Sequence, residues 1–164
     1  MNKFPLISIV LTTYERKFFL KEAINSILNQ TYSNFELIVI DNFSHYNFFS
    51  FIDTFSDKRI KPYQNNNNNI ISINRNFGIK KSLGKYIAFC DDDDIWIKTK
   101  LEDQIKHLLI DKSIIMVSSL ALKFGKSTSF FSKNYGYLYP DLSFDYDSFI
   151  QKNPIVFSSV LICS

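Results

Sequence analysis

Four consecutive carboxylates, Asp91-Asp92-Asp93-Asp94, follow directly on the apolar run Tyr86–Cys90. Side by side they repel by about 1 kcal/mol per close pair even in high dielectric, and by more where partly buried. A divalent cation offsets such repulsion. Mg²⁺ and Mn²⁺ take oxygen ligands, commonly one or two carboxylates together with substrate phosphates and water. In an extended segment Asp91 and Asp93 share one face while Asp92 and Asp94 share the other. A metal would therefore see one or two of the four, and Asp91 and Asp93 are the ligands expected. The plainer alternative is that these acids merely favour the positive end of the following helix. That helix carries its own signature, Thr99-x-x-Glu102, which matches a capping box. The balance falls to metal.

Two further polar clusters end apolar runs. Thr12-Thr13-Tyr14 follows the first, and Asp41-Asn42 follows the second. A carboxylate or amide at a strand end can accept the N3–H of a uracil or thymine ring; an Asx turn explains the same pair almost as well. Thr13 and Tyr14 are placed to hydrogen-bond and stack on that base. Asn74-Arg75-Asn76 precedes the fourth run. The guanidinium of Arg75 suits bidentate phosphate contact, although an isolated helical arginine is more often a solvated side chain. His45 and His107 lack metal-ligand spacing and read as surface residues.

These clusters need a frame that brings them together. Leu6–Leu11, Phe35–Ile40, Ile60–Tyr63, Tyr86–Cys90 and Ile114–Ser118 have strand character. Helical spacing occupies Phe18–Leu28, Phe48–Phe55, Ile70–Lys81 and Lys98–Ile110 between them. Alternation of this kind predicts a mainly parallel, doubly wound α/β sheet in one domain. Ligands of such sheets sit beyond the carboxyl ends of the strands. The three clusters all fall there, so they are expected to converge on one crevice. Asn65–Asn69 reads as a loop. About 1–119 is expected to form the βαβ core that carries these clusters. From about 120 to 164 the pattern changes: Phe124–Phe149 is rich in Phe, Tyr, Ser and Asp and is expected to hold a hairpin and a loop, followed by a last apolar strand at Val156–Cys163. Because that strand runs into the chain end, the polypeptide reads as truncated at its C-terminus.

Composition narrows the function. The chain has 164 residues, 46% hydrophobic and 21% charged, with a formal net charge of +3. That supplies a core and excludes global disorder. The charge is too mild and too scattered for a nucleic-acid-binding face. Cys90 and Cys163 lie in apolar runs and are expected to be buried, reduced thiols. The start, MNKFPLISIV, reads as a strand and lacks a cleavage site. No stretch approaches the ~18 apolar residues of a membrane span. A cytoplasmic protein is expected, with peripheral attachment to the inner face of the plasma membrane as its closest approach to lipid.

Read in order, the segments Ile7-Ser8-Ile9-Val10-Leu11-Thr12-Thr13-Tyr14, Gln30–Asp41, Asn74-x-x-x-Gly78, Gly84–Phe89 and Asp91-Asp92-Asp93-Asp94-Ile95-Trp96 resemble the family 2 glycosyltransferases. The resemblance runs over roughly residues 5–164, and it implies a nucleotide-binding core at about 1–119 and the start of an acceptor-side region at about 120–164. It implies the GT-A (Rossmann-like) fold and inverting transfer of a sugar from a nucleotide-sugar donor, with a UDP-sugar favoured. A cell-surface glycan or a lipid-linked molecule would be the acceptor, and Mn²⁺ or Mg²⁺ the cofactor. It places the donor on Thr12, Thr13, Tyr14, Asp41, Asn42, Arg75, Asn76, Asp91 and Asp92, with Asp92 and Asp93 serving the metal–diphosphate site and Asp91 opening the DXD motif. The chain departs from the pattern at Asn42, where a second acid is common, and at Glu15, where asparagine is usual. The general base of inverting members is expected beyond Ser164, and Asp141, Asp145 and Asp147 do not match its place. Two other readings remain. A non-catalytic nucleotide-binding module would keep the crevice without the base. A Mg²⁺-dependent phosphatase or phosphotransferase would use Asp91-x-Asp93, although that chemistry normally sits on a first strand. A nucleotidyltransferase is disfavoured, because the four glycines are scattered.

Overall fold

The computed structural model describes residues 4–122, 137–138 and 155–164. Segments of five to seven residues make the central strands: β1 (Ile7–Thr13), β2 (Phe35–Asp41), β3 (Ile60–Gln64) and β4 (Tyr86–Asp91). They alternate with α1 (Lys17–Leu28), α2 (Phe48–Asp53), α3 (Ile71–Lys81) and α4 (Lys100–Ile110). Further strands follow: β5 (Met116–Ser118), β6 (Ala121–Leu122), β7 (Tyr137–Leu138) and β8 (Val160–Cys163). Six strands form one sheet in the order β3-β2-β1-β4-β8-β5, and β6 pairs with β7 in a separate ladder. The β3-β2-β1-β4 portion is parallel, whereas β8 runs antiparallel to both β4 and β5. The expected mainly parallel α/β sheet is the one observed.

Both faces of the sheet are covered, which is why β1, β2 and β4 are largely apolar, with Ser8 and Glu36 as buried polar exceptions that hydrogen-bond each other at 2.6 Å. Ile7, Ile9, Leu11, Leu37 and Val39 pack with α1, α2 and α4. Val10, Ile38, Ile40, Ile87 and Phe89 pack on the opposite side with Tyr63, Phe77 and Phe157. α3 covers that second face although its sequence is polar. Gly78 makes this possible: a Cβ there would lie 2.4 Å from Val10 Cγ1 and 3.0 Å from Ile40 Cδ1. Gly84 likewise allows the turn before β4 to touch β1, since its Cβ would meet the Ser8 nitrogen at 2.5 Å.

Three local expectations change. The stretch read as one strand from Val156 is split: Phe157–Ser159 is a 3₁₀ turn, and the strand starts at Val160. Ser159 causes the break, its backbone N–H and Oγ both donating to Val156 O, at 2.9 and 2.6 Å. The Thr99–Glu102 capping box does not form, and Thr99 makes no side-chain cap. Glu102 is drawn off to Thr31 Oγ1 at 2.7 Å and to Lys106 Nζ at 3.1 Å. Gln30 caps α4 in its place, with Oε1 accepting from Leu101 N at 3.1 Å and Nε2 donating to Ile97 O at 2.7 Å. Finally, Cys90 is buried but Cys163 is exposed. Burial raises the Cys90 thiol pKa well above its usual value.

Candidate active site at the carboxyl edge of the sheet

The order β3-β2-β1-β4 reverses direction between β1 and β4, so the loops leaving those two strands part and open a crevice. A cleft of about 300 Å³ lies there, lined by Thr12, Thr13, Tyr14, Arg16, Asn42, Asn67, Asn69, Ile71, Asn74 and Asp92. Thr13 Oγ1 donates to Asp92 Oδ2 at 2.8 Å and ties the two strand ends together. The clusters expected to meet do meet, though not every member faces the cleft.

The acidic tetrad is not extended. The ladder between β1 and β4 ends at Asp91, opposite Thr12, and the chain turns at once with Asp94 N–H on Asp91 O at 3.2 Å. Asp91 and Asp93 therefore do not line one strand face. Each of the four carboxylates finds a partner, with Arg16 shared by two of them. Asp91 Oδ1 accepts from Arg75 Nη2 at 2.7 Å. Arg16 Nη1 lies 3.3 Å from Asp92 Oδ1 and 2.7 Å from Asp93 Oδ2. Asp92 is buried, and desolvation raises its pKa against the opposing pull of Thr13 and Arg16. Burial also raises the pKa of Asp94, opposed by a hydrogen bond with Ser158. The nearby Asp92 carboxylate in turn raises the pKa of Arg16.

Two guanidiniums thus share the balancing work that the sequence assigns to a metal alone. Four acids against two arginines still leave a formal surplus of two negative charges at this turn. The donor atoms are carboxylate oxygens, the class Mg²⁺ and Mn²⁺ prefer. Asp93 is half exposed and Asp91 a third exposed, so both remain reachable. Among the described residues no three His, Cys, Asp or Glu side chains stand close enough to form a ready-made metal cage. The arrangement fits an ion that brings further oxygen ligands with it.

Asp41 is fully buried, and its carboxylate is committed internally. Oδ2 accepts from Ser44 N and Gln64 Nε2, both at 2.9 Å, and Oδ1 accepts from Ser44 Oγ. The Asx-type turn is therefore the observed role of Asp41. Asn42 lines the cleft, yet its Oδ1 accepts from Asn67 N at 2.9 Å and pins the asparagine-rich loop. Asn68 and Asn69 then take φ of 49° and 62°, a left-handed conformation that asparagine tolerates. Glu15 adopts φ 58°, held by its N–H on Ser44 Oγ at 2.8 Å while its carboxylate accepts from His45 N at 2.7 Å.

Tyr14 stands half exposed at the rim. Arg75 points to the β4 end, where its guanidinium stacks 3.8 Å above the Phe157 ring as well as pairing with Asp91. Asn76 is exposed on the outer side of α3 and is not brought to the cleft. Asn74 takes that inner position. Arg16, Asn67, Asn69 and Asn74 also line the cleft, although the sequence reading gave none of them a site role. Helical phase alone would have found Asn74, one turn before Gly78 on the same face. Asp141, Asp145 and Asp147 lie outside the described residues.

Comparison with known proteins bears on this crevice. The family model described as Glycosyl transferase family 2 matches residues 8–159. The Escherichia coli UDP-Glc:alpha-D-GlcNAc-diphosphoundecaprenol beta-1,3-glucosyltransferase WfgD is 41% identical over 104 residues, covering 63% of this chain and 41% of its own. An uncharacterized glycosyltransferase of Haemophilus influenzae is 39% identical over 107 residues, 64% of this chain and 43% of its own. The chain thus spans about two fifths of the length of these relatives. Among solved structures, S. aureus TarS 1-349 in complex with UDP superposes with a TM-score of 0.61 at 24% identity, over 70% of this chain and 33% of that one. The mannosyltransferase PcManGT from Pyrobaculum calidifontis, in complex with GDP-Man and Mn2+, gives 0.63 at 20%, over 71% and 36%. At such identities the likeness is one of fold. A GT-A-like sheet, a crevice at its switch point, an acidic turn closing it and a family model covering nearly the whole length agree: this chain belongs to glycosyl transferase family 2.

Proposed function

We propose that the crevice binds a UDP-sugar and that the whole protein transfers its sugar, with inversion, to a lipid-linked or cell-surface glycan acceptor at the cytoplasmic face of a membrane. The single observation that carries the reading is the Thr13–Asp92 link, which closes the β1–β4 switch point beside the 300 Å³ cleft. The names of relatives add support: WfgD is named for a UDP-Glc donor and a diphosphoundecaprenol acceptor, and TarS is described with UDP. Among the described residues, no helix is long and apolar enough to cross a membrane.

In this reading the nucleoside lies over the ends of β1 and β2, against Thr12, Thr13, Tyr14 and Asn42. The diphosphate lies toward β4, where Asp91 and Asp93 would hold Mn²⁺ or Mg²⁺. The bound ion supplies charge stabilisation for the departing diphosphate. The protein's share is positioning: Arg16 holds Asp92 and Asp93, Arg75 holds Asp91, and Thr13 orients Asp92. The acceptor hydroxyl attacks the anomeric carbon while a carboxylate takes its proton. No described residue is assigned as that base. Asp92 is the one acid lining the cleft among the described residues, which favours a nucleotide-binding module without transfer as the second reading. Turnover of labelled UDP-sugar separates the two.

Calorimetric titration of UDP with and without Mn²⁺ tests the binding step. UDP is expected to bind roughly tenfold or more tightly with the ion. Equal affinity in both conditions removes the metal site.

A further inference from the structure

We propose that Asn74 reads the nucleobase: its side-chain amide donates to a ring carbonyl on the base edge where cytosine and adenine carry an amino group. The inference rests on the nucleotide-binding reading of the cleft and adds a selection rule, keto bases over amino bases.

Asn74 is 1% exposed and lines the cleft. Its Oδ1 accepts from Asn65 Nδ2 at 2.8 Å, which sets the orientation of the amide. Its Nδ2 has no partner. Among the described residues lining this cleft, it is the one side-chain nitrogen or oxygen both fully buried and unpaired. An orphaned buried donor is costly unless something completes it. A ligand carbonyl in the cleft does so.

Position decides which part of the ligand it meets. Gly78, one turn further along α3, rests against Val10 of β1 and Ile40 of β2. Asn74 shares its face and so sits over the strand ends two residues on, beside Thr12 and Asn42. The acids lie on β4, across β1 from this position. With the diphosphate at the acids, the base falls under Asn74. Two acceptors at the end of β2 are already engaged: Asp41 accepts from Ser44 and Gln64, and Asn42 Oδ1 accepts from Asn67. A free amide N–H accepts partnership only from a lone pair, so an amino group at the same place meets it donor to donor.

The test is calorimetric titration of UDP, CDP, GDP and ADP with Mn²⁺ on the wild type and on Asn74→Leu, with circular dichroism as a check on folding. The wild type is expected to prefer UDP to CDP and GDP to ADP. In the variant, UDP and GDP affinity is expected to fall roughly tenfold, with CDP and ADP changed less than twofold. Equal loss for all four, or an unchanged UDP-to-CDP ratio, overturns the proposal. Should the leucine variant fail to fold, the wild-type panel decides, because parity of UDP and CDP overturns it as well. A wild type that binds none of the four refutes the nucleotide-binding reading itself, a result distinct from binding without base preference.

Discussion

At the residue scale the acidic turn separates two kinds of carboxylate. Asp92 is buried and serves the scaffold, joining β1 to β4 through Thr13. Asp93 is half exposed, and its only described ion pair is with the equally exposed Arg16. Exposed pairs of this sort contribute ~0–1 kcal/mol. Asp93→Asn is therefore expected to leave the urea midpoint almost unchanged while removing most of the Mn²⁺-dependent gain in UDP affinity. A variant that keeps the full gain shows that Asp93 is not a ligand. The acids were readable in the sequence because four of them adjoin one another. Arg16 and Arg75 as their partners were not, since one comes from the loop before α1 and the other from the middle of α3.

At the scale of elements, α4 shows how a local signal loses to a tertiary one. Thr99-x-x-Glu102 has the right letters for a capping box, but Glu102 finds Thr31 and Lys106 instead. Gln30, at the end of α1, replaces it by bonding the first turn of α4 and the carbonyl of Ile97. Gln30 is buried, so removing its amide strands those backbone groups. Gln30→Leu is expected to cost about 1–3 kcal/mol in denaturant unfolding, with amide exchange fastest at Leu101. Thr99→Ala should cost little. The reverse result restores the capping box. α3 carries the complementary lesson: its polar sequence obscures that Gly78 and Asn74 form its inner face.

For the whole molecule, α4 is also bound to the far half of the sheet through a buried amine. Lys100 Nζ donates to Gln104 Oε1 at 2.8 Å and lies 4.1 Å from the centre of the Trp96 ring. Gln104 Nε2 continues the link to Ser159 O at 2.6 Å. Burial pushes the Lys100 pKa down from 10.5 to about 7. Between those values the unfolded chain holds a proton that the folded chain has released, so stability rises with pH across that window. Thermal unfolding from pH 7 to 10 is expected to show this rise, and Lys100→Met should flatten it. An identical slope in the variant assigns the effect elsewhere.

The alternation of apolar runs with helical spacing was enough to specify a parallel α/β sheet, because strands buried on both faces must be continuously apolar and their crossovers must be helical. The places of Thr12, Thr13, Tyr14, Asn42 and the acids at its carboxyl edge follow from that same periodicity. Direction and partnership did not follow. Asp41 looked equally suited to ligand or turn until Ser44 and Gln64 were seen around it. Asn74 and Asn76 differ by two residues, and a helix turns them to opposite fates, one buried in the cleft and one exposed outside it. Hydrogen bonds and ion pairs act over about 3 Å in space, and the residues they joined here, Thr13 with Asp92 and Gln30 with Leu101, lie 79 and 71 positions apart in the chain. Periodicity within a segment carries no record of such distances; packing of the segments on one another sets them.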